Sequence, residues 1–166
     1  MAEYGYNEAQ DLQPGAAAVL EDIRPCTKCP QQVMHDNMTP NLVLRGIVRN
    51  SNCCNPRAQY KVTFTGNIAV AEGGTAGEIQ LALSVNGYTR PFTISTATPA
   101  AAGDFWHAGG DTIIDVAAGC CTTVTVVNAS VSATPATTPA PTITVRNLNV
   151  DVERIAERRC NSNERS

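Results

Sequence analysis

The sequence is short of charge. Only 16% of its 166 residues are Asp, Glu, Lys or Arg, and the formal net charge is −3. With 43% hydrophobic residues, such a chain is not a disordered polyelectrolyte. Its middle has no basic cluster. Phosphate binding needs a concentrated Lys/Arg face, so duplex nucleic acid is not expected as a direct partner. Aromatics are scarce at 5%, and the core must therefore be built mainly from Val, Ile, Leu and Ala. No run of about 18 apolar residues is present, so no helical membrane span is expected. The N-terminus, MAEYGYNEAQDLQPG, lacks the basic and apolar regions of a secretory signal. Synthesis and release in the cytosol are the expectation. No repeat of 20–50 residues is seen, which argues against propellers and solenoids.

What is present is alternation. In Arg57–Tyr88, Tyr60, Val62, Phe64, Ile68 and Val70 share one parity, and Lys61, Thr63, Thr65 and Asn67 share the other. Ile79, Leu81, Leu83 and Val85 alternate with Gln80, Ala82, Ser84 and Asn86. A side-chain period of two means strands with one face on a core. The joining AEGGTAG suits a turn. This pattern predicts a long antiparallel pair, with Tyr60, Val62, Phe64, Leu81 and Leu83 in the core.

The rest reads as further strands. Ala16–Ile23 is expected as a strand, with Val19 and Ile23 toward the core. QQVMHDNMTP suggests a short strand ending in a turn at Asn37–Pro40. NLVLRGIVRN carries Leu42 and Leu44 on one parity, with a possible bulge at Gly46. Phe92, Ile94 and Thr96 alternate with Thr93 and Ser95. TPAAAGDFWHAGGD is read as a connection holding the one tryptophan, Trp106. DTIIDVAAG is a short strand, and Val124 and Val126 alternate with Thr123 and Thr125. The last strand changes parity between Val145 and Leu148, which places a bulge near Arg146 or Asn147. Eight or more strands with frequent turn signals give an all-β, antiparallel jelly-roll sandwich. Its expected divisions are an extended N-terminal arm over 1–15, a jelly-roll domain over 16–156 and a polar tail over 157–166.

Several stretches together resemble small virion-associated proteins of phages and prophages from gut Firmicutes. They are VLEDIRPC, LVLRGI, AQYKVTFTGNIAVAEGGTAGEIQLALSVNG, TATPAAAGDFWHAGGDTIIDVAAGCCTTVTV and NLNVDVERIA. The most specific are TPAAAGDFW, the GCC turn and the closing VERIA. The resemblance implies a tumour-necrosis-factor-like or complement-type jelly roll, usually a homotrimer. It implies a non-enzymatic virion component, such as a capsid decoration or a fibre tip, with the major capsid protein or other virion proteins as partners. There is no Gly-X-Y stalk repeat. A compact trimer held to a surface by its arm therefore fits better than a long fibre. Ala69, Ala82, Ile114, Val127 and Ala129 occupy outer parities as small or neutral residues, which suits close packing of subunits.

Seven cysteines cannot all pair within one copy. Cys26 and Cys29 form a C-x-x-C, half of a zinc site or a redox pair. Cys53–Cys54 and Cys120–Cys121 are vicinal pairs in turns. Zinc would need two pairs to converge, for example Cys26 and Cys29 with Cys53 and Cys54, and the second pair lacks the usual spacer. No βαβ pattern surrounds CTKC, so a thioredoxin-like reading fails. Free thiols and disulfides between loops or subunits remain open, and no metal or other cofactor is expected. His35 and His107 lack the spacing of a Cys–His nucleophile pair, and no catalytic constellation is visible.

Phe105 and Trp106 suit a plug at the sandwich end or a subunit contact, and alternatively a platform for sugar rings. Glu72, Glu78, Asp104, Asp111 and Asp115 form no calcium loop. The GGT and GG turns are not phosphate loops, because no Lys-Ser/Thr follows. Tyr4 and Tyr6 are the candidate contact residues of the arm. The Arg-rich segment after Val152 is a candidate contact for an acidic neighbour.

Overall fold

A computed structural model describes residues 1–24, 32–49, 55–132 and 139–158. Its strands are β1 (Ala2–Tyr6), β2 (Gln10–Leu12), β3 (Glu21–Arg24), β4 (Val33–His35), β5 (Leu42–Arg45) and β6 (Arg57–Val70). They continue with β7 (Ile79–Val85), β8 (Tyr88–Thr89), β9 (Ser95–Ala97), β10 (Trp106–Ala117), β11 (Cys121–Asn128) and β12 (Ile143–Arg158). Sheet A runs β10-β6-β12-β1-β3, with β2 also on β12. Sheet B runs β4-β5-β11-β7-β8, with β9 also on β7. All registered pairs are antiparallel.

The pairing is nested. The first strand lies beside the last (β1 on β12), and β5 lies beside β11. Within these, β6 lies beside β10, and β7 beside β8 and β9. A chain that folds back on itself in this order across two sheets is a jelly roll, as the alternation predicts.

The central stretch corrects one expectation. β6 and β7 are not paired. β6 lies in sheet A between β10 and β12, and β7 lies in sheet B between β11 and the short β8 and β9. Ala71–Glu78 is a crossover, too long for the tight turn that fixes a two-stranded hairpin. The parity reading survives, because both strands aim the same residues at the space between the sheets. Tyr60, Val62, Phe64, Leu81 and Leu83 are fully buried there, with Leu20, Leu42, Leu44, Ile79 and Ile143. The Tyr60 hydroxyl donates to the Arg45 carbonyl at 2.6 Å, tying β6 to the end of β5 in the other sheet. Burial pushes this phenol's pKa up, against the opposing pull of Arg154 and Arg45.

The expected bulge in the last strand is present. The β12–β6 register shifts between Arg146 and Asn149, and Asn147 has φ 50°. The extra residue lets Leu148 turn into the core at 1% exposure. A Cβ on Gly66 would lie 3.3 Å from the Leu148 Cδ1, so the glycine makes room for it. The turn expected at Asn37–Pro40 is also found, with Met38 at φ 64°.

Three further expectations change. The segment 1–15 is no peripheral arm. β1 sits inside sheet A, paired to β12 on one side and β3 on the other, and Ala2 and Tyr4 are buried. The alternation of Ala2 and Tyr4 carries that information, but the charged Glu3 between them and the polar residues that follow mask it. In Ala16–Ile23 the inward residues are Ala18 and Leu20, while Ile23 is 50% exposed. The chain there crosses from sheet B, where Ala17 bridges Val127, to β3 in sheet A. Finally, β12 runs to Arg158, so the first residues of the expected tail belong to the fold.

Candidate functional site

Two regions collect the candidate residues. The first is one pole of the sandwich. The turn from β10 to β11 passes through Gly119, at φ 75°, and is pinned by backbone bonds. Gly46 N donates to the Cys120 carbonyl at 2.8 Å, Gly119 N to the Gly46 carbonyl at 3.0 Å and Ala118 N to the Pro56 carbonyl at 3.0 Å. A Cβ on Gly46 would stand 1.8 Å from the Ala117 carbonyl oxygen. Glycine is needed here for close backbone approach rather than for a bulge. Cys120 and Cys121 are free thiols, both exposed on this turn. Cys26, Cys29, Cys53 and Cys54 lie outside the described residues. No group of three or more metal-ligating side chains is found among the described residues.

The second region is the edge formed by β10 and the segment 88–94. Pro91–Thr93 is a single 3₁₀ turn with Pro at its start, where the missing N–H is harmless. Thr93, not Phe92, points inward. Thr93 is 1% exposed, and its hydroxyl oxygen accepts from Leu83 N at 3.0 Å and donates to the Arg90 carbonyl at 2.8 Å. The start of the expected strand is thus a 3₁₀ turn, and extended pairing begins only at Ser95. Phe92 is consequently 102% exposed, Tyr88 80% and Ile94 38%. The segment docks on β10 through its glycines. Gly109 N donates to Ser95 Oγ, and a Cβ on Gly110 would stand 2.8 Å from the Thr93 carbonyl oxygen.

Phe105 and Trp106 begin the same edge. Trp106 is half-exposed, and its indole N–H donates to Asp104 Oδ2 at 3.2 Å. Phe105 is half-buried beneath the Arg146 guanidinium, 3.6 Å from the ring centroid. Ile113, further along β10, is 58% exposed. Beside this docking point Tyr88, Phe92, Ile94 and Trp106 are accessible apolar groups, whereas Ile113 lies on the outer face of sheet A opposite Lys61.

The outer faces are less neutral than their composition suggests. Ala69 and Ala82 are 0% exposed, Ser84 4% and Val127 8%. The paired neighbours of the two alanines, Thr144 and Val127, are taller and flank their methyl groups. Ile114 lies in the core at 3%, on the inward parity of β10. These positions are filled within one chain and offer nothing to a second. The remaining outer row of sheet A is charged. Glu3, Asp151, Thr63 and Asp111 lie side by side across four strands, and Lys61 pairs with Asp111 at 3.7 Å. Burial, then the charge of Glu3, raises the Asp151 pKa above the usual carboxylate value, while the Asn149 amide opposes them.

Tyr4 and Tyr6 do not form a free contact pair. Tyr4 is 3% exposed, because even positions of β1 face inward, and Tyr6 is half-buried opposite Leu148. Burial and the Asp22 charge push the Tyr4 pKa up to about 12. His107 is exposed on β10 and His35 is held in a polar contact with Asp22. The Phe92 edge is the feature that the sequence reading missed. Pro91, immediately before the alternating run, was its available signal.

No protein-family model matches the chain, and no curated protein matches it. Solved structures similar to it in outline include two with sugar-related descriptions. One is the C-terminal domain of EclA, a sugar-binding protein, with TM-score 0.34 and 12% identity, covering 77% of this chain and 89% of that one. The other is the CBM22-1 xylan-binding domain of Paenibacillus barcinonensis Xyn10C, with TM-score 0.34 and 11% identity, covering 93% of this chain and 94% of that one. At this similarity neither carries an argument about function.

Proposed function

We propose that this chain is a non-enzymatic assembly protein of a phage virion, a homotrimer that decorates and stabilises the head. The observation that carries the reading is the set of accessible apolar groups at Tyr88, Phe92, Ile94 and Trp106. A fully exposed phenylalanine within a set of accessible apolar side chains favours a protein contact, since aromatic groups supply most binding energy when desolvated. The edge of one copy packs against a different surface of the next. A head-to-tail contact of this kind closes into a ring when the rotation fits. Three copies then present the opposite surfaces of their sheets to neighbouring capsid subunits, and the shared burial resists pressure from inside the shell.

The resemblance through TPAAAGDFW, GCC and VERIA supports the virion setting, and the jelly-roll strand order agrees with it. Proteomics of density-purified particles tests this directly. The chain should copurify with the major capsid protein at a fixed stoichiometry. Its absence from particles, with monomeric behaviour in solution, would overturn the proposal.

A second reading is supported by Trp106. Its ring is half-exposed and its indole N–H is held by Asp104, which presents a fixed aromatic face. A glycan-binding fibre tip would use such a face for stacking. Loss of cell-surface or glycan binding in Trp106→Ala, with the trimer intact, would favour that reading over head decoration.

A further inference from the structure

The side of the sandwich formed by β3 and β4 is closed by a polar cluster. His35 is on β4, at the edge of sheet B, and its side chain is 1% exposed. Its Nδ1 lies 2.6 Å from Asp22 Oδ1 on β3, at the edge of sheet A. Its Nε2 lies 2.9 Å from the Thr39 carbonyl. That carbonyl also accepts from Leu20 N at 3.1 Å. The Asp22 N–H donates to Asn37 Oδ1 at 3.0 Å. Tyr4 on β1 meets the imidazole edge-on, with centroids 5.0 Å apart.

Donor and acceptor counts decide the chemistry. A carbonyl oxygen only accepts, so Nε2 must carry a proton. An ionised carboxylate only accepts, so Nδ1 must carry one too. A neutral imidazole has one N–H and satisfies only one of these contacts. The geometry therefore selects imidazolium facing carboxylate. The groups around the ring are Asp22 from β3, Tyr4 from β1 and the Thr39 carbonyl from the turn after β4. Leu42 stands opposite His35 on β5, and Asp36 is the ionisable neighbour within the same turn. No cationic group contacts the ring among the described residues.

β3 has little else to hold it. All four of its residues are exposed, and its register with β1 is broken between Glu3 and Tyr4. Yet β3 covers the outer edge of β1. We propose that His35, Asp22 and Thr39 form a proton-dependent latch that keeps β3 over that edge. With His35 protonated, both ring nitrogens donate and the two sheets are sewn together at this side. When the proton leaves, one ring nitrogen turns a lone pair toward an acceptor, the Thr39 carbonyl or the Asp22 carboxylate, and one of the two ties across this side is lost. β3 and the 36–40 turn then release, and β1 presents unpaired backbone groups able to accept another strand. The device is closed while the imidazole carries both protons and opens when one is lost.

The test uses the full chain labelled with ¹⁵N. At about pH 6 both His35 ring nitrogens should show the chemical shifts of protonated imidazole, and at about pH 9 one should have lost its proton. Hydrogen-exchange protection factors of Tyr4 and Asp22 should fall by about tenfold or more between these pH values, while those of Val62 and Phe64 stay constant. In His35→Gln the Tyr4 and Asp22 factors should be low and flat with pH. Should that variant fail to fold, the ring shifts and the wild-type exchange profile decide alone. A single protonated ring nitrogen at about pH 6, or unchanged wild-type protection across the range, overturns the latch.

Discussion

Replacing Gly46 with alanine should be among the most damaging small substitutions in this protein. The added Cβ would lie 1.8 Å from the Ala117 carbonyl oxygen and 2.7 Å from the Ala117 carbonyl carbon. Both are backbone atoms and cannot swing aside like the end of a side chain. Relief requires that β5 part from the β10–β11 turn. That motion breaks Gly46 N to the Cys120 carbonyl and Gly119 N to the Gly46 carbonyl. Overpacking costs about 1–3 kcal/mol, and each lost hydrogen bond about 1 kcal/mol. The expected loss is therefore about 3–5 kcal/mol, a large share of the ~5–15 kcal/mol that holds a typical domain together. For a chain of this size it corresponds to a fall in melting temperature of about 6–20 °C. Urea unfolding followed by circular dichroism measures it, with calorimetry as a second probe. A variant within about 0.5 kcal/mol of wild type would refute the close-approach argument at this pole.

Asn128→Ala removes a buried hub. The Asn128 amide donates to the Leu12 and Pro141 carbonyls and accepts from Ser130 N, so two carbonyls and an N–H lose their partner. A loss of about 2–4 kcal/mol is expected by denaturant unfolding. Tyr4 should mark the alkaline limit of stability. Its folded pKa of about 12 lies above the ordinary tyrosine value of 10.0, so the folded state keeps a proton that the unfolded chain gives up. The contribution is full below pH 10 and is lost as pH rises through 12. Tyr4→Phe should erase this part of the alkaline fall, worth about 2–3 kcal/mol, in urea titrations on either side of that window.

Much of the fold was legible in the residues. The alternation in Arg57–Val70 and Ile79–Val85 named the core side chains, because a half-buried strand leaves a period of two in its sequence. The parity change before Leu148 revealed the bulge for the same reason. Which strands pair was not legible. β6 and β7 have equally clear patterns whether they are neighbours or face each other across the core, and the crossover between them looks like a loose turn. The N-terminal strand was hidden because Glu3 and Gly5 break the apolar signal and Tyr6 ends it beside charged residues. The candidate site was read less well. Phe105 and Trp106 are legible as contact candidates, whereas Phe92 reads only as one member of an alternating strand. The run Phe92-Thr93-Ile94 alternates in letters, while the 3₁₀ turn at Pro91 sets which member faces in. Composition also misled, since small residues such as Ala69 and Ala82 are neutral because they are buried within the chain.

The central claim is that the Phe92 edge joins copies of this chain. Light scattering coupled to size exclusion, at micromolar concentration, tests it most directly. The wild type should elute at three times the 17.5 kDa chain mass, and Phe92→Asp should elute at the mass of one chain while keeping the wild-type circular dichroism and core protection. A monomeric wild type, or a trimer that Phe92→Asp leaves intact, would contradict the account.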